Sequence, residues 1–319
     1  GETNHTMIRI DGKDATFGDF SGKWLQQNAR DGLRSASVWQ SRGVKVIQIL
    51  EIVPSKQAVE VAPGVRKRIL DTCLIRYELE NTDTKPHSVG LRIMVDTLIG
   101  SNDGVPFTVP TMQGLVNTFK DFPTADVVPD FVQALEVPNL SRPGTVGHMT
   151  IKIGAGIEPP SRVSLTRWPG SNAGRWDIGV IHMANDSAVV LYWNADRSLN
   201  PGERRVVGFA YGLGQVSGGE GQGKLALTVN GAFNTGSTFT VTAYVSNPAP
   251  NQTLTLELPA GFERTRGDET ERVPAAAPGQ TTSTVTWTVR AGELGQYQLR
   301  VRSSNGLSQT QPIAIVRSN

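Results

Sequence analysis

Phe239-Thr240-Val241-Thr242-Ala243-Tyr244-Val245 decides how the second part of this chain folds. Phe239, Val241, Ala243 and Val245 fall on one side, with Thr240 and Thr242 on the other. Successive side chains of an extended chain point to opposite faces, so the string is a strand with one buried face. The same alternation recurs on both sides of it: Leu225, Leu227, Val229; Leu254, Leu256, Leu258; Val285, Trp287, Val289; Tyr297, Leu299, Val301; Ile313, Ile315. Turn-forming pairs punctuate these strings: Asn230-Gly231, Asn247-Pro248, Pro278-Gly279 and Asn305-Gly306. Six or seven short strands at this spacing predict a small immunoglobulin-like β-sandwich over residues 224–319. Trp287 and, further upstream, Trp193 lie inside apolar strands and belong to cores.

Ahead of it, Ser217-Gly218-Gly219-Glu220-Gly221-Gln222-Gly223 reads as a flexible linker, because Gly and Ser resist fixation in one conformation. Residues 1–216 are also strand-rich. Cys73, Ile75, Tyr77 and Leu79 share a face, Val89, Leu91, Ile93 and Val95 repeat the pattern, and Ala188 to Trp193 is a continuous apolar run suited to a strand buried on both sides. Val44 to Val53 is ambiguous: Lys45, Gln48 and Glu51 recur at helical spacing, while its Val and Ile content favours a strand. One short helix is expected around Pro129 to Leu135, with Pro in its first turn. The whole is predicted to be all-β: a large antiparallel two-layer sandwich, the linker 217–223, and the smaller sandwich.

Composition narrows the function classes. The 34 Gly and 19 Pro exceed ordinary usage and fit a chain of many short strands and turns. One Cys excludes a disulfide framework and a Cys-based zinc cluster. Cys73 itself reads as a buried, inert thiol. A net charge of +2 provides no footprint for nucleic acid, and no apolar run is long enough for a membrane-spanning helix. The chain opens at Gly1 with no charged-then-apolar leader, which suggests a processed mature form or an excised fragment.

Asp71-Thr72-Cys73-Leu74-Ile75-Arg76-Tyr77, the run Val89 to Thr97, and Gly100-Ser101-Asn102-Asp103-Gly104-Val105-Pro106-Phe107 together resemble a region of poorly characterised bacterial envelope or secreted proteins. Those look like relatives of the large sandwich of galactose-mutarotase-like and carbohydrate-active folds. Leu199-Asn200-Pro201-Gly202-Glu203-Arg204-Arg205 and Phe209 to Gly214 fit the same resemblance, which covers roughly residues 60–215. Leu258-Pro259-Ala260-Gly261-Phe262 and Gly295-Gln296-Tyr297 resemble bacterial surface immunoglobulin-like modules. The resemblance implies a secreted, periplasmic or cell-surface protein. Mutarotases use two His and a Glu as acid and base, but His5, His87, His148 and His182 stand in no string of that kind.

Two groups of side chains invite a chemical reading. Asp96, Asn102 and Asp103 lie at a strand end and the loop after it, an oxygen-rich set that suits Ca²⁺; the alternative is an Asx turn in which these groups bond the local backbone. Trp168 and Trp176 flank a Gly-rich loop, and each follows an Arg. Trp168, Arg175 and Trp176 would give a sugar ring an indole face and a hydrogen-bond donor. The competing reading has the rings packed at the sandwich edge with Arg stacked over them. No Gly-x-Ser-x-Gly elbow or phosphate loop occurs. Asn185-Asp186-Ser187 is one of four strings with the glycosylation-acceptor pattern, which arises often by chance.

With no catalytic constellation in view, the leading expectation is a non-catalytic exported or cell-envelope interaction protein, carbohydrate-binding or adhesive, with a polysaccharide or envelope protein as partner. One alternative is a carbohydrate-active enzyme on a mutarotase-like sandwich, for which Asp96, Asp103, Glu136 and His148 are the groups to inspect. The other is a structural subunit of an envelope layer or filament.

Overall fold

A computed structural model describes the chain except residues 1–2, 54–57, 63–64, 69, 111, 113, 141–142, 154–155, 184, 215–216, 219–224, 232, 277–281 and 317–319. Among the described residues the helical content is a single 3-10 turn, Gly170–Asn172, and the regular structure is otherwise strand. The all-β expectation holds.

Two antiparallel sheets build the first sandwich. The seven-stranded sheet runs in the order Lys120–Phe122, Arg162–Thr166, Ala188–Trp193, His87–Asp96, His5–Ile10, Lys13–Thr16, with Ser198–Leu199 pairing the start of His87–Asp96. The eight-stranded sheet runs Phe107–Thr108, Phe131–Leu135, Val146–Thr150, Arg204–Leu213, Thr72–Asn81, Val44–Val53, Arg34–Ser41, Lys23–Asp31. Ile8, Leu91, Ile93, Leu191 and Trp193 from the first sheet meet Trp39, Val46, Tyr77, Leu79, Val207 and Phe209 from the second in one core. Alternation set this arrangement: in His87–Asp96 the inward row is Val89, Leu91 and Ile93, which leaves Arg92, Met94 and Asp96 on the outer face.

That outer face is itself covered. Met7, Met94, Ala188, Val190 and Tyr192 of the sheet pack under Ala173, Trp176 and Ile178 of the loop that follows Arg162–Thr166, with Trp168 against the same group. This loop is a strap over the outer face.

Two sequence expectations change. The helix expected around Pro129 to Leu135 is a strand, Phe131–Leu135, with every residue buried between two neighbouring strands. The short run Phe131-Val132-Gln133-Ala134-Leu135 carries no helical period, and its backbone pairs with Phe107–Thr108 on one side and Val146–Thr150 on the other. The ambiguous Val44–Val53 is also a strand; Lys45 faces Glu80 at 2.7 Å, so its charge is paired across the sheet. Cys73 is half-buried and not fully enclosed, and burial raises its thiol pKa, consistent with an unreactive group.

The second sandwich pairs a five-stranded sheet (Ser217–Gly218, Leu225–Gly231, Thr238–Ser246, Thr282–Arg290, Glu263–Arg266) with a four-stranded one (Thr270–Arg272, Thr253–Glu257, Gly295–Ser303, Ser308–Ile315). Trp287 is fully buried in its core, and its indole N–H donates to the Asp268 carbonyl at 2.8 Å. Within the expected linker, Ser217–Gly218 pairs with Leu227 and Ala226, and residues 219–223 lie outside the described part. The Thr-rich side of the five-stranded sheet docks on the first sandwich. Thr240 donates to Asp130 at 2.8 Å, Thr284 to the Met112 carbonyl at 2.9 Å and Thr286 to the Pro110 carbonyl at 2.8 Å, beside an apolar group of Leu135, Leu140, Val146, Ala226 and Tyr244.

Candidate functional site

The sheet register explains a convergence of three carboxylates. Asp96 ends the strand His87–Asp96, and its partner across the sheet is Ala188, first residue of Ala188–Trp193. The residues just before Ala188 therefore pass beside those just after Asp96. Ser187 is the node that fixes them: its N–H donates to the Asp103 carbonyl at 2.9 Å, its carbonyl accepts the Thr97 N–H at 3.0 Å, and its hydroxyl lies 2.7 Å from that of Thr97. Ser187 and Thr97 are both buried, so their mutual bonds satisfy groups that water cannot reach. The Val105 N–H also donates to the Ser187 hydroxyl, at 3.1 Å. Gly104 sits where the two loops touch, and a Cβ there would lie 3.0 Å from the Asn185 nitrogen, a tight contact.

Asp96, Asp103 and Asp186 are consequently held with one oxygen of each within 4.8 Å of the others. Burial raises the Asp186 carboxyl, and the charges of Asp103 and Asp96 add to it; Arg167 opposes, and the result is a pKa pushed up to about 6. Burial likewise raises Asp96 above the usual carboxylate range, although a hydrogen bond from the Thr3 side chain opposes it. Asp96 Oδ1 is buried with no hydrogen-bond partner. An acid that keeps its proton to near neutral pH, beside carboxylates that repel its ionised form, is the pairing that acid–base chemistry uses. The same oxygens would also suit a hard cation such as Ca²⁺.

Of the residues singled out from sequence, Asp96 and Asp103 are brought together. Asn102 turns its amide to the loop: Nδ2 donates to the Glu136 carbonyl at 2.9 Å, and Oδ1 accepts the Gly104 N–H at 3.1 Å, which is the Asx-turn alternative. Glu136 caps the neighbouring turn by accepting the Thr145 N–H at 2.9 Å, and His148 lies 3.1 Å from the Thr150 hydroxyl. Neither belongs to the cluster. Asp186 was missed because 83 residues separate it from Asp103. The available signal was that Asp96 ends one strongly apolar strand and Asp186 precedes another.

The aromatic platform is not formed. Trp176 is 5% exposed, with the Arg9 guanidinium 4.4 Å from its ring centroid, so this ring is closed from both sides. Trp168 packs against the same apolar group and donates its indole N–H to the Thr3 carbonyl at 2.9 Å. Arg175 is exposed, and it is the carbonyl of this residue that accepts from Arg92. The packed-edge reading, with Arg stacked on the ring, describes this region.

No family model matches the chain, and no curated protein matches it. Solved structures similar to it include a polysaccharide lyase, at 11% identity and a TM-score of 0.32 over 99% of this chain and 40% of the lyase. This chain thus spans under half the length of that protein. Others are a putative aldose 1-epimerase from Escherichia coli K12 (10% identity, TM-score 0.35, 60% of this chain and 68% of that one) and a galactose mutarotase-like protein from Lactobacillus casei (8%, 0.38, 65% and 84%). The expectation of a non-catalytic interaction protein is set aside: the similar solved structures are named as a polysaccharide lyase, a putative aldose 1-epimerase and a galactose mutarotase-like protein, a likeness of fold alone at these TM-scores. The fold does bring three carboxylates, Asp96, Asp103 and Asp186, to one place.

Proposed function

We propose that this protein is a carbohydrate-active enzyme whose acid–base groups are Asp186, Asp96 and Asp103. The observation that carries the reading is Asp186, pushed up to about 6 in a half-buried position beside two other carboxylates. In its acid form Asp186 delivers a proton to a sugar oxygen, while an ionised neighbour accepts one from an adjacent group on the same ring. A second use of the cluster, binding Ca²⁺, is favoured by the unpartnered Asp96 Oδ1, which a cation would satisfy. The second sandwich is read as an immunoglobulin-like module. Labelled in chain order, its main strands fall into an A-B-E-D sheet and a C-F-G sheet, which supports that class. An exported setting belongs to the same proposal.

The test is a substrate panel: mutarotation of aldoses by polarimetry, reducing ends released from polysaccharides, and ultraviolet absorbance of unsaturated products. Wild type should turn over at least one member, and Asp186→Asn should lower kcat by about 100-fold or more, the usual worth of a positioned proton donor. No turnover across the panel, or unchanged kcat in folded Asp186→Asn, would overturn the assignment.

A further inference from the structure

The outer face of the seven-stranded sheet carries three arginines, and they are not treated alike. Arg9 forms two bonds to Asp14, at 2.6 and 2.9 Å, and Arg162 donates to Asp121 at 3.1 Å. Arg92 is 0% exposed and has no carboxylate partner among the described residues. Its Nη2 donates to two strap carbonyls, Ala173 at 2.6 Å and Arg175, whereas Nε and Nη1 are buried without any partner. Arg205, at 3% exposure, shows what this fold does with a structural buried arginine: Nε and Nη2 pair with Glu158 at 2.9 and 2.5 Å, and Nη1 donates to the Val89 and Asn194 carbonyls. A guanidinium removed from water with two of three nitrogens unsatisfied is costly, and an orphaned buried donor of this strength calls for an acceptor.

We propose that Arg92 is the anion-recognising group of a binding site beneath the strap of residues 168–178, taking an oxyanion group, carboxylate or sulfate. The guanidinium presents parallel N–H groups that match such oxygens. The floor around it is aromatic and apolar: Tyr192 and Met7 are its neighbours across the two adjacent strands, and Trp176 stands in the same cluster. The base of the strap is pinned by Thr166, whose hydroxyl donates to the Gly179 carbonyl and accepts the Ile181 N–H, both at 2.9 Å. Above the base it is held by the two Arg92 bonds, a bond from the Ile178 N–H to the Tyr192 hydroxyl and apolar packing, with no strand ladder. The Arg162–Asp177 ion pair at 3.7 Å, Arg9 stacked on Trp176 and the Trp168 indole N–H on the Thr3 carbonyl also hold it. An anion at Arg92 takes the place of strap carbonyls. The site lies on the same row of the same strand as Asp96, about 13 Å along it at ~3.3 Å per residue.

Binding is measured by titration calorimetry on the full chain with sodium sulfate, glucuronate and neutral glucose at constant ionic strength. Wild type should bind sulfate and glucuronate saturably and glucose at least tenfold more weakly than glucuronate. Arg92→Lys, which keeps the charge and loses the planar fork, should weaken both anions about tenfold or more. Glucuronate tighter than sulfate assigns the anion to a saccharide, and sulfate tighter assigns it to a free ion. Asp186→Asn should leave sulfate binding unchanged, so failure of the catalytic reading and failure of this one are told apart. Absence of saturable anion binding by wild type, or equal binding by Arg92→Lys, overturns the proposal. If Arg92→Lys does not fold, the wild-type amide resonances of Ala173 and Arg175 decide: they shift on sulfate addition if the anion replaces their contacts, and unmoved resonances overturn it.

Discussion

His87 and Asp186 both have raised pKa values, and each makes stability fall as pH rises. Burial of His87, 3% exposed, pulls its pKa down, but hydrogen bonds from its two ring nitrogens to Asp11 at 2.7 Å and Asp83 at 3.0 Å outweigh that and leave it above the ordinary 6.5. The folded state therefore binds the imidazolium proton more tightly than the unfolded chain. That stability is fully present below about 6.5 and is lost as pH rises through the folded value. Asp11 and Asp83 are held below the ordinary 3.8. Burial opposes the shift at Asp11, the His87 bond leads it at Asp83, and their share is lost as pH falls through those lowered values. Like His87, Asp186 is raised. Its folded pKa of about 6 exceeds the ordinary 3.8, so the native state holds a proton the unfolded chain gives up, and stability declines as pH rises between those values. Asp186→Asn removes that decline and should stabilise the fold at pH 7 by up to about 1 kcal/mol, screening by water limiting the gain. Urea unfolding of wild type, Asp186→Asn and His87→Gln across pH 4–8 checks this. An Asp186→Asn variant less stable than wild type at pH 7, or a His87→Gln variant with an unaltered alkaline limb, contradicts it. Sequence showed Asp96 and Asp103 as a group because one loop holds both; it could not show Asp186, whose place depends on which strand pairs with which.

At the scale of elements, alternation was the most legible signal. Phe239 to Val245, Cys73 to Leu79 and Val89 to Val95 all form strands, since period two describes little else. Phe131–Leu135 was misread because a short continuous apolar run carries no period, and a preceding Pro serves a strand as well as a helix. The central strand Arg204–Leu213 depends on Gly208, where a Cβ would come 2.5 Å from the Ile75 carbonyl oxygen of the neighbouring strand. The obstacle is backbone, which cannot turn aside as a side chain could. Gly208→Ala should therefore cost about 1–3 kcal/mol, the usual penalty of overpacking, read as a lower urea midpoint at unchanged slope. A midpoint equal to wild type would show that the two strands separate more easily than this packing implies. The strap of residues 168–178 is the element least legible in sequence. Its Gly, Ser and Asn announce a loop, but only the Arg92 bonds and the burial of Ala173, Trp176 and Ile178 show that it lies flat on the sheet.

Over the whole molecule, the two sandwiches were readable from composition and turns, whereas their docking was not. The Thr side chains at the junction looked like the wetted face of a strand, and Thr240 and Thr284 are instead buried, bonded to Asp130 and the Met112 carbonyl of the first sandwich. The second sandwich thereby covers Phe131–Leu135 and Val146–Thr150 at one end of the eight-stranded sheet, leaving the opposite sheet to carry the carboxylates, the strap and Arg92. All the proposed ligand chemistry thus falls on one outer face. Its most direct test is resonance mapping on the uniformly labelled full chain, titrated separately with CaCl₂ and with the saccharides of the substrate panel. Perturbations should centre on Asp96, Asp103 and Asp186 and extend to residues 168–178. Saccharide perturbations centred on the outer face of the eight-stranded sheet or on the second sandwich, or none with any probe, would contradict it.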